Sequence, residues 1–200
     1  MIYETIITTV DPAGNPHITP FGVQKKDVLI VISPFKPSTT LSNILATECA
    51  VMNLTDDVRV FAAAIVKAQT QVIVPASVVN GVRLADTLAH QELRLEQVVE
   101  DVERPQLWMR VVHQVTHQPF AGFNRAQAAV IELAVLASRL NRLPQEKVLS
   151  ERAYLQIAID KTAGERELQA WQWLVEKIDG YYAEHSGVNQ AEHGHDTFID

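Results

Sequence analysis

The chain has 200 residues, 47% hydrophobic and 20% charged, a balance that suits a folded domain with its own core and excludes a disordered composition. Its formal charge of −7 excludes a general affinity for nucleic acid, because no basic stripe is present to neutralise phosphates, although a local basic spot can still hold a small anion. The one cysteine, Cys49, cannot form an internal disulfide, no signal-peptide pattern opens the chain, and no apolar run approaches the ~18 residues of a membrane span. The expectation is a cytoplasmic protein with no membrane partner.

Glu4 to Val10 is rich in Thr, Ile and Val and reads as a strand. Asp11 to Pro16, with two prolines and a glycine, reverses the chain. His17 to Val23 is the partner strand, and Asp27 to Ser33 a third, whose run Val28 to Ile32 is apolar on both faces. Leu41, Ile44 and Leu45 fall at helical spacing within Thr39 to Thr47. Cys49 to Leu54 returns to strand, with Cys49 read as a small core residue. Thr55 followed by two acids predicts a helix start, running to about Val66. Val72 to Pro75 is a short apolar segment, Leu84 to Glu103 lacks a clean period apart from a strand-like Leu93 to Glu100, and Trp108 to Thr116 alternates strongly.

From Gly122 the text turns helical. Asn124 is a natural N-cap for Arg125 to Asn141, Pro144 can open a helix over Gln145 to Lys161, and Gly164 separates that from Glu165 to Tyr181. The tail from Glu184 is polar and is expected to be mobile; its imidazoles His185, His193 and His195 point to a solvated terminus. Strands first and helices second describe an α+β fold, divided here into a β domain over residues 1–120, a three-helix segment over 121–183 and the tail over 184–200.

The chemistry-bearing residues gather early. Lys36, Ser38, Thr39, Thr40 and Asn43 offer an ammonium, three hydroxyls and an amide where a helix should begin, a donor set that suits a phosphate monoester. Read structurally, Ser38 or Thr39 is only a cap and Lys36 a solvated charge. Thr19, Pro20, Phe21 and Gly22 interrupt a strand, which can present backbone groups to a flat ring or can be a plain sheet edge. Asn53 and Thr55 close a buried strand and can face a ligand or satisfy turn backbone. His113 and His117 share one face of a strand but stand too far apart along it for a shared metal, and no metal site is expected. Hydrolase elbows, zinc-protease pairs and nucleotide-binding glycine fingerprints are absent from the sequence.

With these residues in view, the chain resembles the flavin-binding split-barrel proteins, and within them a largely uncharacterised family in which the barrel is followed by a helical segment. The likeness runs from Ile2 to about Tyr182 and rests on Tyr3–Thr9, Pro20–Gly22, Phe35–Asn43, Asn53–Asp57, Phe123–Ala126 and Lys161–Gly164. The resemblance implies an N-terminal antiparallel split β-barrel that binds FMN at a homodimer interface. The flavin edge would lie against Thr19–Gly22, and its phosphate near Lys36–Asn43. Arg125 then becomes a candidate contribution from the second subunit, the alternative being an ion pair at a helix start. Lys161 and Thr162 read more readily as a helix C-terminus than as part of the site. The activity implied is a flavin-dependent oxidoreductase of unknown substrate, using FMN or a deazaflavin. The alternative is a flavin carrier or sensor without turnover.

Overall fold

The computed structural model describes residues 1–68 and 71–186. The strands are β1 (Ile2–Val10), β2 (Pro16–Lys26), β3 (Leu29–Ile32), β4 (Cys49–Leu54), β5 (Ile73–Pro75), β6 (Val82–Leu84), β7 (Ala89–Val99) and β8 (Gln106–Thr116). Among them lie the helices α1 (Thr39–Thr47) and α2 (Arg59–Val66), and after them α3 (Arg125–Ala137), α4 (Gln145–Thr162) and α5 (Glu165–Ser186). Six strands close an antiparallel barrel in the order β1-β2-β3-β8-β7-β4, while β5 and β6 form a separate hairpin. The α+β expectation is met: a barrel, then three helices.

Two cores hold the molecule. Ile7, Val23, Ile32, Met52, Leu93 and Met109 fill the barrel, with Leu41 and Ile44 of α1 plugging one end. A second core joins α2 to the terminal helices through Phe61, Leu133, Leu174 and Ile178, and includes Ile6 on the outer face of β1. Period-2 alternation explains how β1 serves both, since Ile6 and Ile7 point to opposite sides of one strand. Leu133, Leu174 and Ile178 are fully buried, each side chain contributing about 1.5–3 kcal/mol. Asn124 caps α3 as its sequence predicts, accepting from the amides of Ala126 and Gln127. Thr162 joins α4 to that cap, its hydroxyl accepting the Ala126 amide at 3.1 Å.

Several boundaries differ from the sequence reading. Asp27 adopts a left-handed φ of 54° and makes the β2–β3 turn, so β3 starts only at Leu29 and Val28 is exposed. The helix expected from Thr55 starts at Arg59. Thr55 Oγ1 accepts the Asp57 amide and Asp57 in turn accepts the Arg59 amide, so two successive side-chain turns delay the helix. α3 stops at Ala137 rather than Asn141, and α5 continues to Ser186, carrying Glu184 and His185 that were assigned to the tail. The remainder of that tail, with His193 and His195, lies outside the described residues. β6 was not foreseen, and β7 begins four residues before the strand-like stretch.

The β5–β6 hairpin is pinned to the barrel by one carboxylate. Glu92, fully buried on β7, accepts the amides of Ser77, Val78 and Val79 at 2.6, 2.7 and 2.8 Å. Burial alone would push this carboxyl up, but the three amides hold it below the usual carboxylate range. Cys49 packs beneath the same hairpin with Val51 and Val79, as a buried core thiol.

Candidate functional site

The early polar residues separate into two sets once folded. Thr40, Asn43 and Asn53 are interior, at 1%, 5% and 0% exposure. Asn43 Nδ2 donates to Thr9 Oγ1 at 3.0 Å and ties α1 to β1. Asn53 Nδ2 donates to Ile6 O and Thr8 Oγ1, while its Oδ1 accepts the Leu84 amide at 2.8 Å. Thr55 spends its hydroxyl on the Asp57 amide. These groups hold strands and turns together.

Lys36, Ser38 and Thr39 form the second set, on the surface at the start of α1. Ser38 Oγ caps the helix by accepting the Leu41 amide at 3.3 Å, leaving its hydroxyl proton and the amides of Thr39 and Thr40 directed out of the first turn. Lys36 Nζ donates to Asp101 O at 3.0 Å and lies 3.6 Å from an exposed Glu100 carboxylate. An ion pair this open to water is worth ~0–1 kcal/mol, so the ammonium can turn to a better anion at small cost.

The tertiary structure adds to this loop what its sequence lacks. Phe35, Lys36 and Glu103 form one wall of a cleft of about 730 Å³, and Ser138, Arg139, Asn141 and Arg142, just beyond α3, form the other. The Arg104 guanidinium sits 4.7 Å from the Phe35 ring centroid, in cation–π range. Three cations, Lys36, Arg139 and Arg142, line the cleft against one acid, Glu103, with Arg104 over the Phe35 ring beside it, in a chain of net charge −7. Arg139 and Arg142 were missed because they lie about 100 residues from Lys36, and only the packing of α3 beside the barrel brings them near. A pair of arginines three apart at a helix end is the one sequence signal that could have flagged them.

Arg125 lies at the other end of α3, where it lines a groove with Glu132, Tyr154 and Ile157. At 1.5 Å per residue it is about 20 Å along the helix from Arg139. One chain therefore does not bring Arg125 to the Lys36 loop.

Thr19, Pro20, Phe21 and Gly22 pair with Ile7, Ile6, Thr5 and Glu4 of β1. On its other side β2 meets β3 only through Gln24, Lys25 and Lys26. Its first half therefore has one edge without a ladder among the described residues, which is where a strand tolerates Pro20. Phe21 turns inward against the barrel core. The close approach expected at Gly22 is made by β1 itself, since a Cβ there would stand 2.9 Å from Ile2 Cγ2.

A third polar cluster is structural. Asp57 binds Arg59 through both carboxylate oxygens, with Arg166 3.9 Å away and bridging toward Asp86. Burial would raise the Asp57 carboxyl, but Arg59 and Arg166 bring it below its ordinary value. The network closes α2 onto α5 beside a cavity of about 280 Å³ lined by Val60, Leu84 and Trp173.

Comparison with known proteins identifies the family and the fold. The family described as "Protein of unknown function (DUF447) N-terminal domain" matches residues 3–118, and "Protein of unknown function (DUF447)" matches residues 124–176. No curated protein matches the chain. Among solved structures, an FMN-bound protein of this family from Methanosarcina mazei superposes with a TM-score of 0.76 at 20% identity, covering 88% of this chain and 94% of that one. The 2-nitrobenzoate 2-nitroreductase of Pseudomonas fluorescens gives 0.50 at 18% identity, over 57% of this chain and 64% of that one. The NADH:FAD oxidoreductase of Streptomyces globisporus gives 0.50 at 14% identity, over 57% and 75%. These likenesses concern the fold.

Proposed function

This chain belongs to the DUF447 family, and we propose that it binds FMN, with the cofactor's phosphate in the cleft of Lys36, Arg139 and Arg142. The observation that carries the reading is this local excess of cations around Phe35, next to the open first turn of α1, in an acidic chain. A phosphate monoester carries nearly two negative charges and three acceptor oxygens. Two guanidinium forks, an ammonium, the Ser38 hydroxyl and the free α1 amides match that demand in number and sign. The FMN held by the Methanosarcina relative supports the choice of ligand.

The unladdered edge of β2 at Thr19–Gly22 would receive the polar edge of the flavin ring through backbone groups, as the interrupted strand suggested. A second copy of the chain completes the site in this reading, and it would bring Arg125 to the cofactor. Bound FMN supplies hydride and electron transfer at its ring. The protein's residues hold the phosphate, orient the ring and exclude water. Within the flavin class, a flavin-dependent oxidoreductase is favoured by the fold shared with the nitroreductase and the NADH:FAD oxidoreductase.

The test is absorbance and mass analysis of the purified chain, followed by titration with FMN and then with NADH or NADPH. Flavin bands and bleaching on reduction are expected. A colourless protein that refuses added FMN overturns the binding reading; binding without bleaching by either nucleotide favours a carrier or sensor.

A further inference from the structure

Away from the cleft, four titratable side chains meet on the barrel wall where β7 and β8 run together. His90 and Glu92 stand on β7, His113 on β8 and His117 just after its end, and the ladder sets Glu92 directly across from His113. His90 and Glu92 are 1% and 0% exposed, beneath the β5–β6 hairpin. Histidines 113 and 117 make no pair of their own. The imidazole of His90 enters between them instead, its ring 6.0 Å from that of His113 and 5.1 Å from that of His117.

The spacing is that of a ligand set. His90 Nε2 lies 3.4 Å from Glu92 Oε1. That is long for an N–H···O bond, which centres near ~2.9–3.0 Å. It is ordinary for two ligands that each stand ~2.0–2.2 Å from one cation. A nitrogen of His113 completes a group of three ligand atoms, all within 4.8 Å of one another.

Two of the three, Glu92 and His90, are also held by groups outside the set. The three hairpin amides divide one to Oε1 and two to Oε2 of Glu92, so Oε1 keeps a lone pair on the side of His90. His90 Nδ1 lies 2.9 Å from His117 Nε2. When Nδ1 donates that proton, Nε2 presents a lone pair to an ionised carboxylate, an arrangement that a cation between them turns from repulsive to attractive. An outer partner on the far nitrogen is the usual company of a ligating imidazole. The register shift opposite Glu92 and Leu93 leaves Val112 out of the ladder beside His113, and such bulges re-aim neighbouring side chains.

We infer that His90, Glu92 and His113 bind one first-row divalent cation of zinc's class, with His117 as the outer partner of His90. Two imidazoles and a carboxylate suit such ions, and three protein ligands leave a position for water. Because Glu92 also holds Ser77–Val79, the ion would lock the β5–β6 hairpin to the barrel. The site shares no residue with the Lys36 cleft.

The test uses the full chain carrying His193→Gln and His195→Gln, which removes the two imidazoles of the terminal segment, stripped with a chelator and titrated with Co²⁺ and then Zn²⁺. One Co²⁺ per chain with visible d–d absorption, displacement by Zn²⁺ and a raised melting temperature are expected. His113→Ala should weaken Co²⁺ binding by at least ~10-fold, and His117→Ala by ~10–100-fold. Their metal-free melting temperatures should stay near the parent's, which separates lost metal from lost fold. Absence of stoichiometric Co²⁺ binding, or unchanged affinity in His113→Ala, overturns the site. Flavin content followed in the same samples should not change with metal.

Discussion

The interior polar set of Asn and Thr and the Lys36 cleft with its cations do opposite things. Asn43, Asn53, Thr8 and Thr9 sit within a few residues in sequence of exposed hydroxyls and amides, yet their polar atoms are turned on one another and on strand backbone. Lys36, Arg139 and Arg142 face water, and Lys36 is engaged only by one exposed hydrogen bond to Asp101 O and a weak surface ion pair with Glu100. Asparagine and threonine near a glycine-poor strand are therefore not evidence of a ligand. A polar group inside must be paired by the fold itself, because leaving it unpaired costs ~1–3 kcal/mol. A group that remains available to a ligand has to be at the surface and weakly engaged.

Substitutions should break this contrast in order of size. Asn53→Ala strips a buried amide that joins β1, β4 and β6 and leaves the Leu84 amide without its acceptor. A loss of about 3 kcal/mol in urea unfolding is expected. A loss below 0.5 kcal/mol would mean that Asn53 is not a structural linchpin, and its place in the cofactor's shell would reopen. Lys36→Ala with Arg139→Ala should do the reverse, weakening FMN binding by ~30-fold or more while moving stability by less than about 0.5 kcal/mol. Equal loss of stability and of binding would return the loop to a purely structural role.

Ser38→Ala lies between the two sets, since Ser38 caps α1 and stands two residues from Lys36 of the cleft. It should cost about 1 kcal/mol of stability by denaturation and a few-fold in FMN affinity. The smallest effect is a pH dependence. Asp57 is held below its unfolded value by Arg59 and Arg166 against the opposing pull of burial. Its stabilisation is present above the unfolded carboxyl value and is lost as pH falls through the lower folded one. Asp57→Asn should flatten the stability profile below about pH 4. An unchanged acid limb would show that the α2–α5 network adds nothing to acid sensitivity.

Local pattern carried a large part of the architecture. The Thr, Ile and Val content of Glu4–Val10, the alternation in Trp108–Thr116, the turn at Asp11–Pro16 and the Asn124 cap each depend on neighbours within one strand or one helical turn, and all appear in the fold. The same locality explains the misses. β6 and the first half of β7 have weak patterns and become strands because β5, β4 and β8 offer them edges. The delayed start of α2 followed from competition between Thr55, Asp57 and the helix for the same amides.

For the site, the chain's own text named the phosphate-like loop at Lys36–Thr39 and the interrupted strand at Thr19–Gly22, because cations, hydroxyls and prolines are visible one residue at a time. Their meaning was decided by tertiary contact. Packing of α3 beside the barrel set Arg139 and Arg142 opposite Lys36 and left Arg125 at the far end of the same helix, while α1, β1 and β6 closed over Asn43 and Asn53. Strand pairing likewise put His90 between His113 and His117, which no spacing along β8 could announce. Residue type sets what a side chain can bind, whereas burial and long-range neighbours set whether it is still free to do so.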